Sequence, residues 1–178
     1  MNETGITVEE IRTAIRTIPD FPRPGVQFKD ITPVLSDARL FAASVELLAG
    51  TVGFGRVDAV AGIEARGFIF AAAVALKHGA GFVPIRKKGK LPYRTVEASY
   101  ELEYGSATIA MHVDAVRPGS KVLLVDDVLA TGGTAAAAAE LLSRVGAELV
   151  GITFLVELTF LRGRDRLKGL PVRSFILY

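Results

Sequence analysis

Two neighbouring carboxylates, Asp126 and Asp127, stand just ahead of the small-residue run Ala130-Thr131-Gly132-Gly133-Thr134. That run offers successive backbone N–H groups, two hydroxyls and two glycines, and a stretch rich in helix formers follows it. Backbone donors at the start of a helix make a cradle for an anion, most naturally a phosphate. Carboxylates repel phosphate, so the two halves of the motif must grip different parts of one ligand. A phosphorylated sugar fits: the acids take ribose hydroxyls and the loop takes the 5′-phosphate. Either dipeptide alone would mean only a strand end or a turn, whereas strand, acid pair, phosphate loop and helix in one unbroken order mean more. No Lys follows the glycines as in a Walker loop, and the G-x-G-x-x-G of dinucleotide binders is absent.

Two further clusters carry charge suited to an anion. In Glu64-Ala65-Arg66-Gly67, Arg66 offers a charged donor and Gly67 allows close backbone approach; the alternative is a surface pair between Glu64 and Arg66. Arg86-Lys87-Lys88-Gly89-Lys90 holds four cations in five residues with no acid between them. Such a run is ordinarily a solvated loop, but beside a phosphate loop it contacts a polyphosphate. His78 and His112 have neither metal-ligand spacing nor triad partners and read as structural.

These residues need a frame. Residues 122–125 are apolar without a polar break, as in a central parallel strand covered on both faces, and they deliver the acid pair to the strand's carboxyl end. In open α/β sheets that edge is where ligands sit. Residues 57–62 and 81–85 read as two more buried strands around a helix over 68–78, a βαβ unit that brings Glu64, Arg66 and the basic run to the same edge. Residues 135–145 favour helix with Gly146 as its stop, and 150–156 and 172–177 are further strands. Val8, Ile11, Ile15 and Ile18, behind the capping box Thr7-Val8-Glu9-Glu10, predict a helix over 7–18, and Ser36 reads as the N-cap of another that ends near Gly50. Prolines forbid regular structure up to Gly25, residues 26–31 allow a short extended piece, and composition alone reads 19–33 as a linker. Residues 91–98 are mixed and polar, as a mobile flap would be. Residues 100–104 and 107–113 alternate around Gly105-Ser106 as a β-hairpin. A hairpin that carries the basic loop over the active edge is a lid that excludes water. The basic turn at 162–168 has no evident internal role. The expected fold class is α/β, a central mostly parallel sheet flanked by helices.

A chain of 178 residues, half of them hydrophobic and 22% charged, suits one well-buried domain and is short for two. Its net charge of +2 gives no general case for nucleic acid or a membrane surface as partner. With no Cys, disulfides, thiolate catalysis and thiolate metal sites are excluded. The N-terminus lacks a basic region followed by an apolar one, and the longest apolar run, 68–76, is too short to span a bilayer, so a soluble cytoplasmic protein is the expectation.

The stretch KVLLVDDVLATGGT, residues 121–134, resembles the phosphoribosyl-pyrophosphate (PRPP) motif of the type I phosphoribosyltransferase family. The likeness extends over nearly the whole chain and is to the adenine-using branch of that family. It is carried by residues 20–35 (DFPRPGVQFKDITPVL), 62–70 (GIEARGFIF), 86–92 (RKKGKLP), 100–105 (YELEYG) and the end segment FLRGRDRLKGLPVRS. The resemblance implies the type I phosphoribosyltransferase fold in a single domain, 1–178. An N-terminal hood over the base, about residues 1–35, replaces the linker reading, and a β-hairpin flap covers about 86–106.

The reaction implied is purine salvage: 5-phosphoribosyl passes from PRPP to N9 of adenine, giving AMP and pyrophosphate, with Mg²⁺ entering as the PRPP complex and aided by Asp126 or Asp127. By the same resemblance Phe28 stacks on adenine while the backbone of Gln27 and Lys29 reads its Watson–Crick edge. Ala65, Arg66, Gly67, Arg86 and Lys90 hold the pyrophosphate, the family holding a cis peptide in the loop that Ala65 and Arg66 form. Asp126 and Asp127 take the ribose, and Ala130, Thr131, Gly132, Gly133 and Thr134 take its 5′-phosphate. Glu103 approaches N7 as proton donor or acceptor, with Tyr104 near the reaction centre and Arg66 neutralising charge there. A homodimer is implied as well. Tyr93-Arg94 departs from the Gly-Glu usual after Leu91-Pro92, and Lys29 stands where Arg is common. Two other readings stay open: a non-enzymatic domain that senses PRPP or a purine nucleotide, and a phosphoribosyltransferase for another purine.

Overall fold

Thr7 caps the first helix reciprocally: its Oγ1 accepts from the Glu10 N–H at 3.2 Å, and Glu10 Oε2 accepts from the Thr7 N–H at 2.8 Å. The helix so started, α1, spans Val8–Ala14 and is shorter than its apolar spacing predicts. Ile15 is already extended, and Arg16–Pro19 forms a strand, β1, paired antiparallel with β2, Gln27–Asp30. Pro19 bars the residue before it from helix, and Arg16 is tied across the ribbon to Asp30 at 2.7 Å, so strand pairing wins over helical period. Residues 27–30 are thus ordered β-structure rather than linker. After a short helix α2, Thr32–Ser36, it is Asp37 rather than Ser36 that caps α3, Ala38–Ala49. Asp37 Oδ1 accepts from the N–H groups of Arg39 and Leu40 at 2.9 and 3.0 Å, a geometry that Ser36, already inside a helix, cannot offer. Met1–Leu47 form one compact unit and Leu48–Tyr178 a second, and the computed structural model describes residues 5–53, 55–101 and 105–178.

In the second unit follow β3 (Ala59–Ile63), α4 (Arg66–His78), β4 (Gly81–Lys87), β5 (Thr95–Glu101), β6 (Ser106–His112), β7 (Lys121–Leu129), α5 (Gly133–Arg144), β8 (Glu148–Glu157) and β9 (Val172–Leu177). Among the described residues these strands form one sheet in the order β5-β6-β4-β3-β7-β8-β9. It is parallel from β4 to β9, with β6 and β5 antiparallel at one edge. Every residue of β3 is buried, as a strand covered on both faces must be. On one face Gly62 backs onto Ala71 of α4; on the other Ala61 and Ile63 share a core with Ala138, Leu141 and Leu142 of α5. The α/β architecture is the one expected, a mostly parallel sheet flanked by helices.

Three boundaries differ from the sequence reading in ways that matter to the site. β7 does not stop at Val125: Asp126 pairs with Phe154 and Leu129 with Glu157 of β8, so the acid pair lies within the strand, past the point where β3 stops pairing at Gly62–Val125. Arg86 and Lys87 likewise belong to β4, opposite Ala110 and Ile109 of β6. Residues 95–98 are strand rather than flap, because Val96, Ala98 and Tyr100 alternate onto one face and pack into the core shared with α5. Two antiparallel strands do flank Gly105, but the first runs Thr95–Glu101 rather than 100–104, and the pair is an edge of the sheet. Residues 102–104 lie outside the described residues.

Candidate active site

Because β4, β3 and β7 are parallel neighbours, residues 64–67, 86–90 and 126–134 come to one edge of the sheet. Side-chain contacts join them there. Arg66, the first residue of α4, donates from Nε to the Asp127 carboxylate in a close ion pair, with Asp127 almost fully buried and Arg66 half exposed. Asp126 Oδ1 accepts from the Asp127 N–H at 2.9 Å and lies so close to the Cα of Gly67 that a Cβ there would overlap it. Gly67 therefore serves less as a turn residue than as the gap into which a carboxylate fits. Burial, and then the neighbouring charge of Asp127, push the Asp126 carboxyl well above the ordinary range of an aspartate.

Glu64 and Arg66 do not pair with each other, as a bland surface reading would have it. Glu64 Oε1 takes Arg86 Nη2 at 3.1 Å, and its Oε2 accepts the Lys87 N–H at 3.1 Å. The Arg86 hydrogen bond, ahead of the opposing effect of burial, holds the Glu64 carboxyl below its usual range. Arg86 Nη1 also donates to the Lys90 carbonyl at 3.0 Å, closing the basic turn on itself, while its Nε is buried without a partner. The Glu64–Ala65 peptide bond is cis, within the loop where the resemblance implied one.

The loop 130–134 turns from β7 into α5. Gly132 has φ +79° and precedes the helix, and no side chain caps α5. Among the described residues no side chain accepts from the N–H groups of its first turn, the arrangement that favours an anion. A cavity of about 80 Å³ opens there, lined by Asp126, Ala130, Thr131, Gly132, Thr134 and Phe154 among others. With a water's share of liquid volume at about 30 Å³, this is room for a phosphate-sized group rather than a nucleotide.

Gln27, Phe28 and Lys29 lie in β2 of the N-terminal unit, where Phe28 meets Phe21 edge to face at 5.1 Å between ring centroids. Glu103 and Tyr104 lie outside the described residues. Among the described residues no group of three or more His, Asp and Glu side chains could hold a metal ion. The acid pair can supply at most part of a coordination shell, which fits an ion such as Mg²⁺ that keeps waters and takes its remaining oxygens from a substrate's phosphates.

Sequence reasoning missed two supports of the site. The Tyr100 ring edge comes within 3.1 Å of where a Cβ of Gly133 would stand, so β5 backs the start of α5. The basic turn at 162–168 has an internal role after all. Arg164 pairs with the nearly buried Glu157 and donates to the Val172 carbonyl at 3.1 Å, while Leu167 joins the core under α5. The glycine inside an otherwise charged turn, Gly163, was the available signal.

A doubly covered parallel sheet, with an acid pair and an uncapped phosphate-sized loop at its carboxyl edge, defines a class that handles phosphorylated ribose, and the chain belongs to the phosphoribosyl transferase domain family, whose model matches residues 33–173. Within that family it is similar to the adenine phosphoribosyltransferase of Acidothermus cellulolyticus, 61% identical over 94% of this chain and 95% of that protein. The crystal structure of adenine phosphoribosyltransferase from Thermoanaerobacter pseudethanolicus is 52% identical with a TM-score of 0.93, covering 97% of this chain and 100% of that one. That from Saccharomyces cerevisiae, complexed with an imino-altritol bisphosphate and adenine, is 39% identical with a TM-score of 0.85, covering 95% and 98%.

Proposed function

We propose that this chain transfers 5-phosphoribosyl from PRPP to N9 of adenine, releasing pyrophosphate and AMP. The observation that carries the proposal is the convergence of Asp126, Asp127, Arg66, Arg86 and the 130–134 loop on one sheet edge, in a chain 61% identical to an adenine phosphoribosyltransferase. In this reading the loop holds the 5′-phosphate and the acid pair holds the ribose hydroxyls. Ala65, Arg66, Gly67, Arg86 and Lys90 hold the pyrophosphate. Departure of pyrophosphate leaves positive charge on the sugar ring and negative charge on the leaving group, which fixed cations at that edge stabilise. Glu103 exchanges a proton at N7 of the base, with Tyr104 beside it, and closure over the edge keeps water from the sugar cation. Mg²⁺, carried on PRPP and touched by Asp126 or Asp127, would neutralise further phosphate charge.

Phe28 supplies the stacking face for the base, and the backbone of Gln27 and Lys29 the specificity. β2 pairs antiparallel with β1, and in such a ribbon alternate residues turn their N–H and C=O groups away from the partner strand. A carbonyl there accepts from the exocyclic amine of adenine and meets another acceptor in an oxopurine. Hydrogen-bond discrimination of this kind reaches ~10⁴-fold. Incubation with PRPP, Mg²⁺ and adenine, hypoxanthine or guanine in turn tests it: nucleotide should form rapidly with adenine alone, and comparable turnover of hypoxanthine would sink the assignment.

The working form in this reading is a cytoplasmic homodimer. Ile69 and Leu76, 42% and 84% exposed, lie seven residues apart on one side of α4 and offer an apolar stripe for a symmetric contact. Light scattering should give twice the 19.0 kDa of one chain. A fully active 19.0 kDa species would refute the dimer.

A further inference from the structure

We infer that Gly163 is a positioning residue that sets the shape of the 130–134 loop, an inference that rests on reading that loop as the 5′-phosphate cradle. The loop and the turn after β8 touch backbone to backbone. A Cβ on Gly163 would overlap the carbonyl oxygen of Ala130 and stand 2.9 Å from the Gly132 nitrogen. A Cβ on Gly132 would overlap the Gly163 carbonyl oxygen and stand 2.9 Å from its carbon. Each glycine is therefore required by the other, and the atoms in the way are main chain, which cannot swing aside as a side-chain tip can.

The turn that presents Gly163 is itself fixed from both sides. Arg162, just ahead of it, has φ +53°, and Arg162 Nε donates to Asp165 Oδ2 at 3.0 Å. Arg164, just after it, is anchored on Glu157, itself only 5% exposed at the end of β8. Leu167, 2% exposed, closes the turn into the core beneath α5. The start of the loop is held as well: the Leu158 N–H donates to the Leu129 carbonyl at 2.9 Å, one residue before Ala130. The phosphate loop is thus clamped between the end of β7 and a rigid turn, and the orientation of its N–H groups is set by Gly163 together with the loop's own Gly132.

Displacement of positioned groups by about 1 Å can cost up to ~10²-fold. Gly163→Ala should raise KM for PRPP by about 10-fold or more, leave KM for adenine within about twofold, and weaken ribose 5-phosphate binding in calorimetry in the same proportion. A merely structural glycine would lower Tm and leave both PRPP KM and ribose 5-phosphate binding unchanged, which would overturn the inference. Should Gly163→Ala not fold, Arg164→Gln releases the turn from Glu157 without adding an atom at Gly163. It must then show the same PRPP-specific rise at smaller size, and an unchanged PRPP KM overturns the proposal. Thr134→Val, within the loop, separates the two layers: if it raises PRPP KM and Gly163→Ala does not, the clamp is wrong, whereas if neither does, the reading of the loop is wrong.

Discussion

Arg66 and Asp127 form one ion pair across the edge of the sheet, joining the first residue of α4 to the acid pair of β7. The cation proposed for pyrophosphate and the acid proposed for ribose are therefore energetically coupled. Arg66→Ala and Asp127→Asn should each lower kcat/KM for PRPP by about 10-fold or more, since charge-assisted hydrogen bonds are worth about 1.5–3 kcal/mol. The double variant should lose less than the product of the two, with a coupling of about 0.5–3 kcal/mol. Strictly multiplicative losses in a double-mutant cycle would show that the pair has no functional part.

Asp126 should trade stability for function. Its folded-state pKa is raised, so its charge opposes folding above that pKa, and the penalty vanishes below the ordinary value of 3.8. Asp126→Asn keeps an oxygen to accept the Asp127 N–H and should raise Tm at pH 7 by about 2 °C or more while weakening PRPP use. The gain in Tm should shrink as pH falls toward 3.8. A lower Tm at pH 7 would contradict the burial argument.

Glu64 acts through Arg86. Glu64→Gln keeps an oxygen to accept from Arg86 but loses the charge, and should weaken product inhibition by pyrophosphate by about 3- to 10-fold, the worth of roughly one ordinary net hydrogen bond; Arg86→Ala should weaken it further. If Glu64→Gln inhibits like the parent chain while Arg86→Ala does not, the 3.1 Å contact does not position Arg86.

The Glu157–Arg164 pair predicts a pH window. Arg164 holds the Glu157 carboxyl below the ordinary 4.5, so its stabilisation is fully present above 4.5 and is lost as pH falls through the lowered value. Arg164→Gln should cost about 1–3 kcal/mol in urea unfolding at pH 7, less than a fully buried pair because the Arg164 side chain is 47% exposed. The difference should narrow near pH 3. An equal cost at both pH values would assign the effect to packing instead.

The frame and the ligand edge were legible because their signals are local. The apolar run 122–125, the acid pair and the Gly-rich loop are contiguous, so strand, site and helix start could be read from one stretch. Boundaries were misread where a distant partner decides them. Strand pairing with Gln27–Asp30 ended α1 early, β8 extended β7 through Asp126 and Asp127, and the core face of Val96, Ala98 and Tyr100 drew residues 95–98 out of the supposed flap. Glu64 was placed correctly at the edge, but its partner Arg86 stands 22 residues on and only the parallel pairing of β3 with β4 brings the two together. Gly163 stood out as a glycine in a charged turn, but what it packs against could not be read, because its neighbours Ala130 and Gly132 are close in space and far along the chain.

Catalysis of phosphoribosyl transfer is tested most directly by following AMP and pyrophosphate together in a mixture of the chain, adenine, PRPP and Mg²⁺. The two products should appear in equal amounts and in large excess over protein, and Asp126→Asn with Asp127→Asn should nearly abolish both. Binding of PRPP and adenine without products beyond those of that double variant would contradict the account and leave a ligand-sensing domain in its place.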